Sequence, residues 1–169
     1  MPILRQFITM KGRVMGSIAD RLQSMGVTLP EPPKPVASYV GFVENNGLVF
    51  VSGQLPLVAG EVTHTGLLGR DVSVEDAAIA AKTCAINILA QINVACGGDL
   101  ERIERCVRLG GFVASTPDFT DHPKVINGAS DFMGEVLGDK GAHARAAVGV
   151  AALPLNVPVE IDAIFAIAR

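Results

Sequence analysis

The chain has no tryptophan, a single tyrosine and 5% aromatic residues in 169, so small residues, mainly Ala and Gly, supply much of its apolar character. It has only three cysteines, Cys84, Cys96 and Cys106, an odd number without the CxxC spacing of a metal site. They read as reduced core or surface thiols of a cytoplasmic protein. His64, His122 and His143 are scattered and form no metal-ligand pattern. Basic runs are missing and net charge is −3, which weighs against nucleic acid as the main partner, because phosphate binding leaves a basic patch. No apolar run approaches the roughly 18 residues of a membrane span. A composition 49% apolar with mean hydropathy +0.39 then fits a soluble protein that buries surface in an oligomer.

What is present is enough for one domain with a full core. Residues 1–14 carry Arg5, Lys11 and Arg13 without an acid and lack the apolar centre of a secretory signal. They read as a loose tail, or as a segment before a start at Met10 or Met15, with an organellar transit segment as the alternative. Ile18, Leu22 and Met25 recur at helical spacing behind Ser17, a good N-cap, and Gly26 is placed to end that helix. Leu29–Pro35 cannot be helical because proline lacks the amide donor, so it reads as an extended linker. The division expected is 1–37 as tail, short helix and Pro-rich linker, and 38–169 as the domain.

Two strand patterns, 38–44 and 48–55, flank Asn45-Asn46-Gly47, a strong hairpin signal. Glu61–Thr65 suggests one short strand. Ser73 caps a long helix with Glu75 and Asp76 in its first turn, expected to run to Cys96 before Gly97-Gly98. Its stripe of Ala77, Ala81, Cys84, Ile88, Ile92 and Ala95 makes Cys84 a core residue. Ile103–Ala114 reads as a strand covered on both faces, with Cys106, Arg108, Gly110 and Phe112 of one parity. Pro123 then opens a second helix to Leu137, burying Val125, Ala129, Phe132, Met133 and Val136. The order ββ(β)αβαββ defines an α+β layer with a mixed sheet and helices packed on one face.

The chemistry gathers in His143–Phe165. Ala144–Val150 and Val157–Phe165 alternate as strands, and the Leu153–Asn156 connection suits an antiparallel hairpin between them. Strand period two puts Glu160 and Asp162 on one face. If the hairpin is centred between Pro154 and Leu155, Gly149 pairs with Glu160 and Arg145 shares its face. The two would then lie roughly 13 Å apart, so a compact site would need one of them from a neighbouring subunit. The alternative for these charges is a sheet edge or a structural ion pair.

Several of these pieces occur together in one order: Tyr39 ahead of the hairpin, Val51-Ser52-Gly53-Gln54-Leu55-Pro56, the long helix, Ala144-Arg145-Ala146-Ala147-Val148, Leu153-Pro154, and Val159-Glu160-Ile161-Asp162-Ala163-Ile164. From Ser38 to the C-terminus this set resembles the RidA, or YjgF, family, often labelled endoribonuclease L-PSP, and is most similar to a longer-chain branch of it. The resemblance implies a chorismate-mutase-like α+β protomer in a homotrimer with intersubunit clefts. It also implies cofactor-free hydrolysis of reactive 2-imino acids to 2-keto acids and ammonia. Arg145 matches the family's essential arginine, whose guanidinium can hold a carboxylate through paired hydrogen bonds. Glu160 matches the acid that orients or activates water, with Asp162 a weaker candidate. Tyr39, Ser52, Gly53 and Asn127 match pocket-lining positions. Many relatives carry Ser-Cys after the arginine; here Ala146-Ala147 leaves no thiol, though a backbone contact from Ala147 would survive. The segment 57–70 and the N-terminal extension could reshape the cleft rim. Competing readings are a non-catalytic binder of carboxylate metabolites, and a ribonuclease, for which this acidic chain offers no basic groove.

Overall fold

The computed structural model describes residues 16–32 and 38–169; the expectations for residues 1–15 and 33–37 lie outside them. Helix α1 (Ile18–Ser24) begins at a capping box in which the Ser17 hydroxyl accepts from the Asp20 amide and the Asp20 carboxylate accepts from the Ser17 amide. Its Ile18 and Leu22 are buried in the main core and the helix packs against α3 (His122–Leu137). The stripe foreseen in the sequence thus covers the body of this same chain.

Strands β1 (Phe42–Asn45) and β2 (Leu48–Gln54) form the expected hairpin. Asn46 and Gly47 both hold positive φ, 55° and 81°, the backbone such a two-residue turn requires. A small ribbon follows, β3 (Leu57–Val58) paired with β4 (Glu61–Val62). Helix α2 (Val74–Ala95) starts where the Ser73 hydroxyl accepts from the Asp76 amide. By length and composition α2 could cross a bilayer, but 61% of its most apolar window is buried inside the domain, so it serves as the core helix. Strand β5 (Ile103–Ala114) leads through α3 to β6 (Ala144–Val150), and β7 (Val159–Ile167) completes the sheet.

The five main strands lie in the order β1-β2-β7-β5-β6. Only β5 and β6 run parallel, and α3 is the crossover that such a pair needs. Both long helices cover one face. Beneath them lie Val49, Val51, Leu109, Val113, Ile161 and Phe165, met by Ala77, Ala81, Cys84, Ile88 and Ile92 of α2 and by Val125, Ala129, Phe132, Met133 and Val136 of α3. Small residues let the helices approach closely: a Cβ on Gly128 would run into the backbone of Ala78.

Three expectations are overturned. The strands β6 and β7 form no hairpin: β5 lies between them, paired parallel to β6 and antiparallel to β7. The connection is a 3-10 turn over Pro154–Asn156, and Leu155 and Asn156 both have positive φ. Among the described residues, β5 is covered on one face only, leaving Arg105 and Arg108 on the other. Finally, the β5–β7 register shifts between Cys106 and Arg108, a bulge that turns Cys106 inward while Arg108, Gly110 and Phe112 look outward. Strict alternation could not foresee that extra residue.

Candidate functional site

Arg145 stands on β6, the edge strand, opposite Leu109 of β5, which is buried under the helices. Its side chain therefore points to the helix-covered side of the sheet, where α3 meets it. Guanidinium Nη1 donates to Asn127 Oδ1 at 2.8 Å and to Ser130 Oγ at 3.1 Å. Asn127 and Ser130 are three positions apart on α3, so both side chains lie on one flank of the helix. An arginine carries five N–H donors, and Nη1 contributes two of them. Nε and Nη2, the edge that grips a carboxylate in parallel fashion, make no other bond among the described residues. Arg145 is exposed, so this edge is open to a ligand.

Ser130 in turn lies 2.9 Å from His143 Nε2, and His143 Nδ1 lies 2.6 Å from the Gly141 carbonyl. Neither residue was singled out from the sequence. A signal existed, since His143 is two residues before Arg145 and Ser130 three after Asn127, but only the packing of α3 beside β6 joins them. Ala147 follows Arg145 on the same face, paired with Gly111 and half-buried.

Glu160 sits elsewhere. It pairs with Phe112 on the uncovered face, so Arg145 and Glu160 look out from opposite sides of the sheet. With two strand spacings across and three residues along, their Cα atoms are roughly 14 Å apart. The assumed hairpin register, which put them on one face, is thereby corrected: the intervening strand β5 reverses the relation. The pairing of Glu160 with Asp162 on one face does hold, and the Arg108 guanidinium takes Asp162 at 3.0 Å. Gly110 leaves room for that ion pair, since its Cβ would strike both partners. Burial and, secondarily, the Asp162 charge raise the Glu160 carboxyl above its ordinary value.

Beside Glu160 lies Gly53, at an irregularity of β2 where a Cβ would collide with the Glu160 carboxylate. Ser52 donates its hydroxyl to the Val40 carbonyl at 2.6 Å, and Tyr39 next to it is 58% exposed. The residues singled out from the sequence thus fall into two groups within one chain. Arg145, Asn127 and Ala147 flank β6, and Tyr39, Ser52, Gly53 and Glu160 gather around β2 and β7. The cysteines belong to neither. All three are buried and free; burial pushes the Cys84 thiol well up and Cys106 up to about 12, which makes them poor nucleophiles.

The fold and these motifs belong to a known class: residues 19–166 match the YjgF/chorismate-mutase-like family labelled endoribonuclease, and the chain is a member of that family. Protein TCP17 of Trypanosoma cruzi is 43% identical over 150 residues, covering 88% of this chain and 93% of that protein. In crystal structures, the Agrobacterium tumefaciens protein Atu1372 is 52% identical with a TM-score of 0.85, covering 89% of this chain and 92% of that one. Escherichia coli TdcF with bound serine is 26% identical with a TM-score of 0.57, covering 82% and 94%.

Proposed function

We propose that the protein is an enamine/imine deaminase that hydrolyses small reactive 2-imino acids to 2-keto acids and ammonia. The observation that carries this reading is the Arg145 guanidinium, braced at Nη1 by Asn127 and Ser130, with its Nε and Nη2 edge free among the described residues. A carboxylate bound there is fixed in orientation, and the imine carbon beside it is presented to water. Imines hydrolyse readily, so orientation, a placed water and charge stabilisation suffice. The serine in the related TdcF is a small molecule bearing a carboxylate, in keeping with this class of ligand.

Glu160 is the proposed water-activating group, and its raised carboxyl brings it nearer the pH at which a general base works best. Because Arg145 and Glu160 occupy opposite faces of one sheet, the site forms between copies, with Glu160, Gly53, Ser52 and Tyr39 of one chain facing Arg145, Asn127 and Ala147 of the next. A homotrimer with three such clefts meets the requirement. The uncovered sheet face supplies an assembly surface: Val43, Leu48, Phe50 and Val148 are each more than a third exposed there.

The test is ammonia release from 2-iminopropanoate and 2-iminobutanoate generated in place by a dehydratase. Wild type accelerates it over the spontaneous rate and Arg145→Ala does not. If wild type gives no acceleration, the deaminase reading fails and a carboxylate-binding role replaces it.

A further inference from the structure

At the C-terminal end of the parallel β5–β6 pair, where α3 begins, a cleft of about 360 Å³ opens between Ser115, Phe119, His122 and the segment Gly149 to Ala151. Gly149 lies four residues along β6 from Arg145, roughly 13 Å away, so the cleft takes no part in the deaminase reading. Within it Ser115 Oγ stands 3.0 Å from His122 Nε2. Both residues are firmly placed. The Ser115 amide donates to the Val150 carbonyl at 3.1 Å, and the amides of Ala114 and Thr116 on either side are tied to the Pro158 and Leu68 carbonyls. The His122 ring is set edge-on against Phe119, with centroids 5.1 Å apart and planes at 85°. Gly149 makes the pair possible, since a Cβ there would strike both His122 Nε2 and Ser115 Oγ. His122 Nδ1 makes no hydrogen bond among the described residues. With the ring proton on Nδ1, Nε2 accepts from the Ser115 hydroxyl, which is the arrangement of a nucleophile beside its base.

The geometry points to a second activity at this cleft: Ser115 is a nucleophile, His122 its general base, and small carboxylic esters are the substrates. Pro117, Phe119 and Val150 offer an apolar seat for a short acyl chain. The amides of Asp121 and His122 head α3 and make no hydrogen bond among the described residues. They put the positive end of the helix beside the carbonyl oxygen as it gains charge. Ser115 Oγ bonds to the carbonyl carbon while its proton passes to His122 Nε2 and the C=O π pair moves to oxygen. When that pair returns, the bond to the alcohol oxygen breaks and the leaving oxygen takes the proton from Nε2. Water then attacks the acyl-serine and gives its proton to Nε2. The bond from carbon to Oγ breaks, Oγ recovers the proton, and the carboxylic acid leaves. Ester and water have become acid and alcohol, and both residues are restored.

The full chain is to be assayed with p-nitrophenyl acetate and, separately, treated with phenylmethylsulfonyl fluoride and digested for mass mapping. Wild type is expected to release nitrophenolate about 100-fold or more faster than Ser115→Ala or His122→Gln. A sulfonyl adduct is expected on Ser115 of wild type and not in His122→Gln. Gly149→Ala keeps both reacting side chains but crowds them apart, and is expected to lose release and adduct together. The mapping on wild type decides even where a variant fails to fold. No adduct on Ser115, or hydrolysis retained in Ser115→Ala, overturns the assignment. An adduct on Ser115 without ester hydrolysis overturns the turnover. Ammonia release from imino acids is a separate measurement, so this activity and the deaminase stand or fall independently.

Discussion

On β7 the side chains of Val159, Ile161, Ala163, Phe165 and Ile167 are buried beneath the helices, whereas Glu160, Asp162, Ile164 and Ala166, one residue out of phase, look onto a face that no helix among the described residues covers. The first face is closed by aliphatic packing at crystal-like density. The second mixes exposed Phe50, Leu48 and Val148 with the Arg108–Asp162 ion pair and a partly desolvated Glu160. One sheet therefore carries a finished core and an unfinished one. The finished side holds Arg145 through α3, and the unfinished side offers Glu160 to whatever covers it.

That contrast can be broken by substitution. Phe165→Ala, in the finished core, is expected to cost about 4 kcal/mol, read from the midpoint of denaturant unfolding. Phe50→Ala, opposite Ile164 on the bare face, is expected to cost less than about 0.5 kcal/mol in dilute monomer. A comparable loss at Phe50, together with a drop in particle mass on light scattering for Phe50→Glu, would show the bare face to be covered in solution. Gly128→Ala forces a methyl against the Ala78 backbone and is expected to destabilise by about 3 kcal/mol. A stability equal to wild type would mean that α2 and α3 can part without cost.

The smallest effect is electrostatic. Because the folded carboxyl of Glu160 is raised above its ordinary 4.5, the native state binds that proton more tightly than the unfolded chain. Stability is thus lost as pH rises from 4.5 through the raised folded value. Glu160→Gln removes this loss. The variant should match wild type below that range and exceed it at neutral pH, by less than about 1 kcal/mol because the group is half-exposed. Thermal unfolding across pH checks the sign, and a variant less stable at neutral pH would show that Glu160 has a stabilising partner.

The sequence was a good guide wherever the signal was local. Ser17 and Ser73 mark helix starts because their hydroxyls answer free amides in the first turn, and Asn46-Gly47 marks the hairpin because both residues tolerate positive φ. Ile103–Ala114 was bounded correctly, yet its parity at Cys106 was not, since a bulge arises from pairing with β7 rather than from composition. Of the residues singled out for the candidate site, Arg145 and Asn127 are brought into contact. Ser130 and His143 stayed hidden because a serine within a helix and a histidine before a strand carry no distinguishing local pattern.

By itself, then, the sequence determined the main elements, the apolar faces of the helices and the family of the chain, because periodicity, caps and turn residues act over a few positions. The tertiary structure alone decided that β5 separates β6 from β7, and so that Arg145 and Glu160 face opposite ways. It alone joined Arg145 to Ser130 and His143. Strand order and helix docking come from surfaces far apart in the chain competing to be buried together, and no local stretch encodes which of them meet.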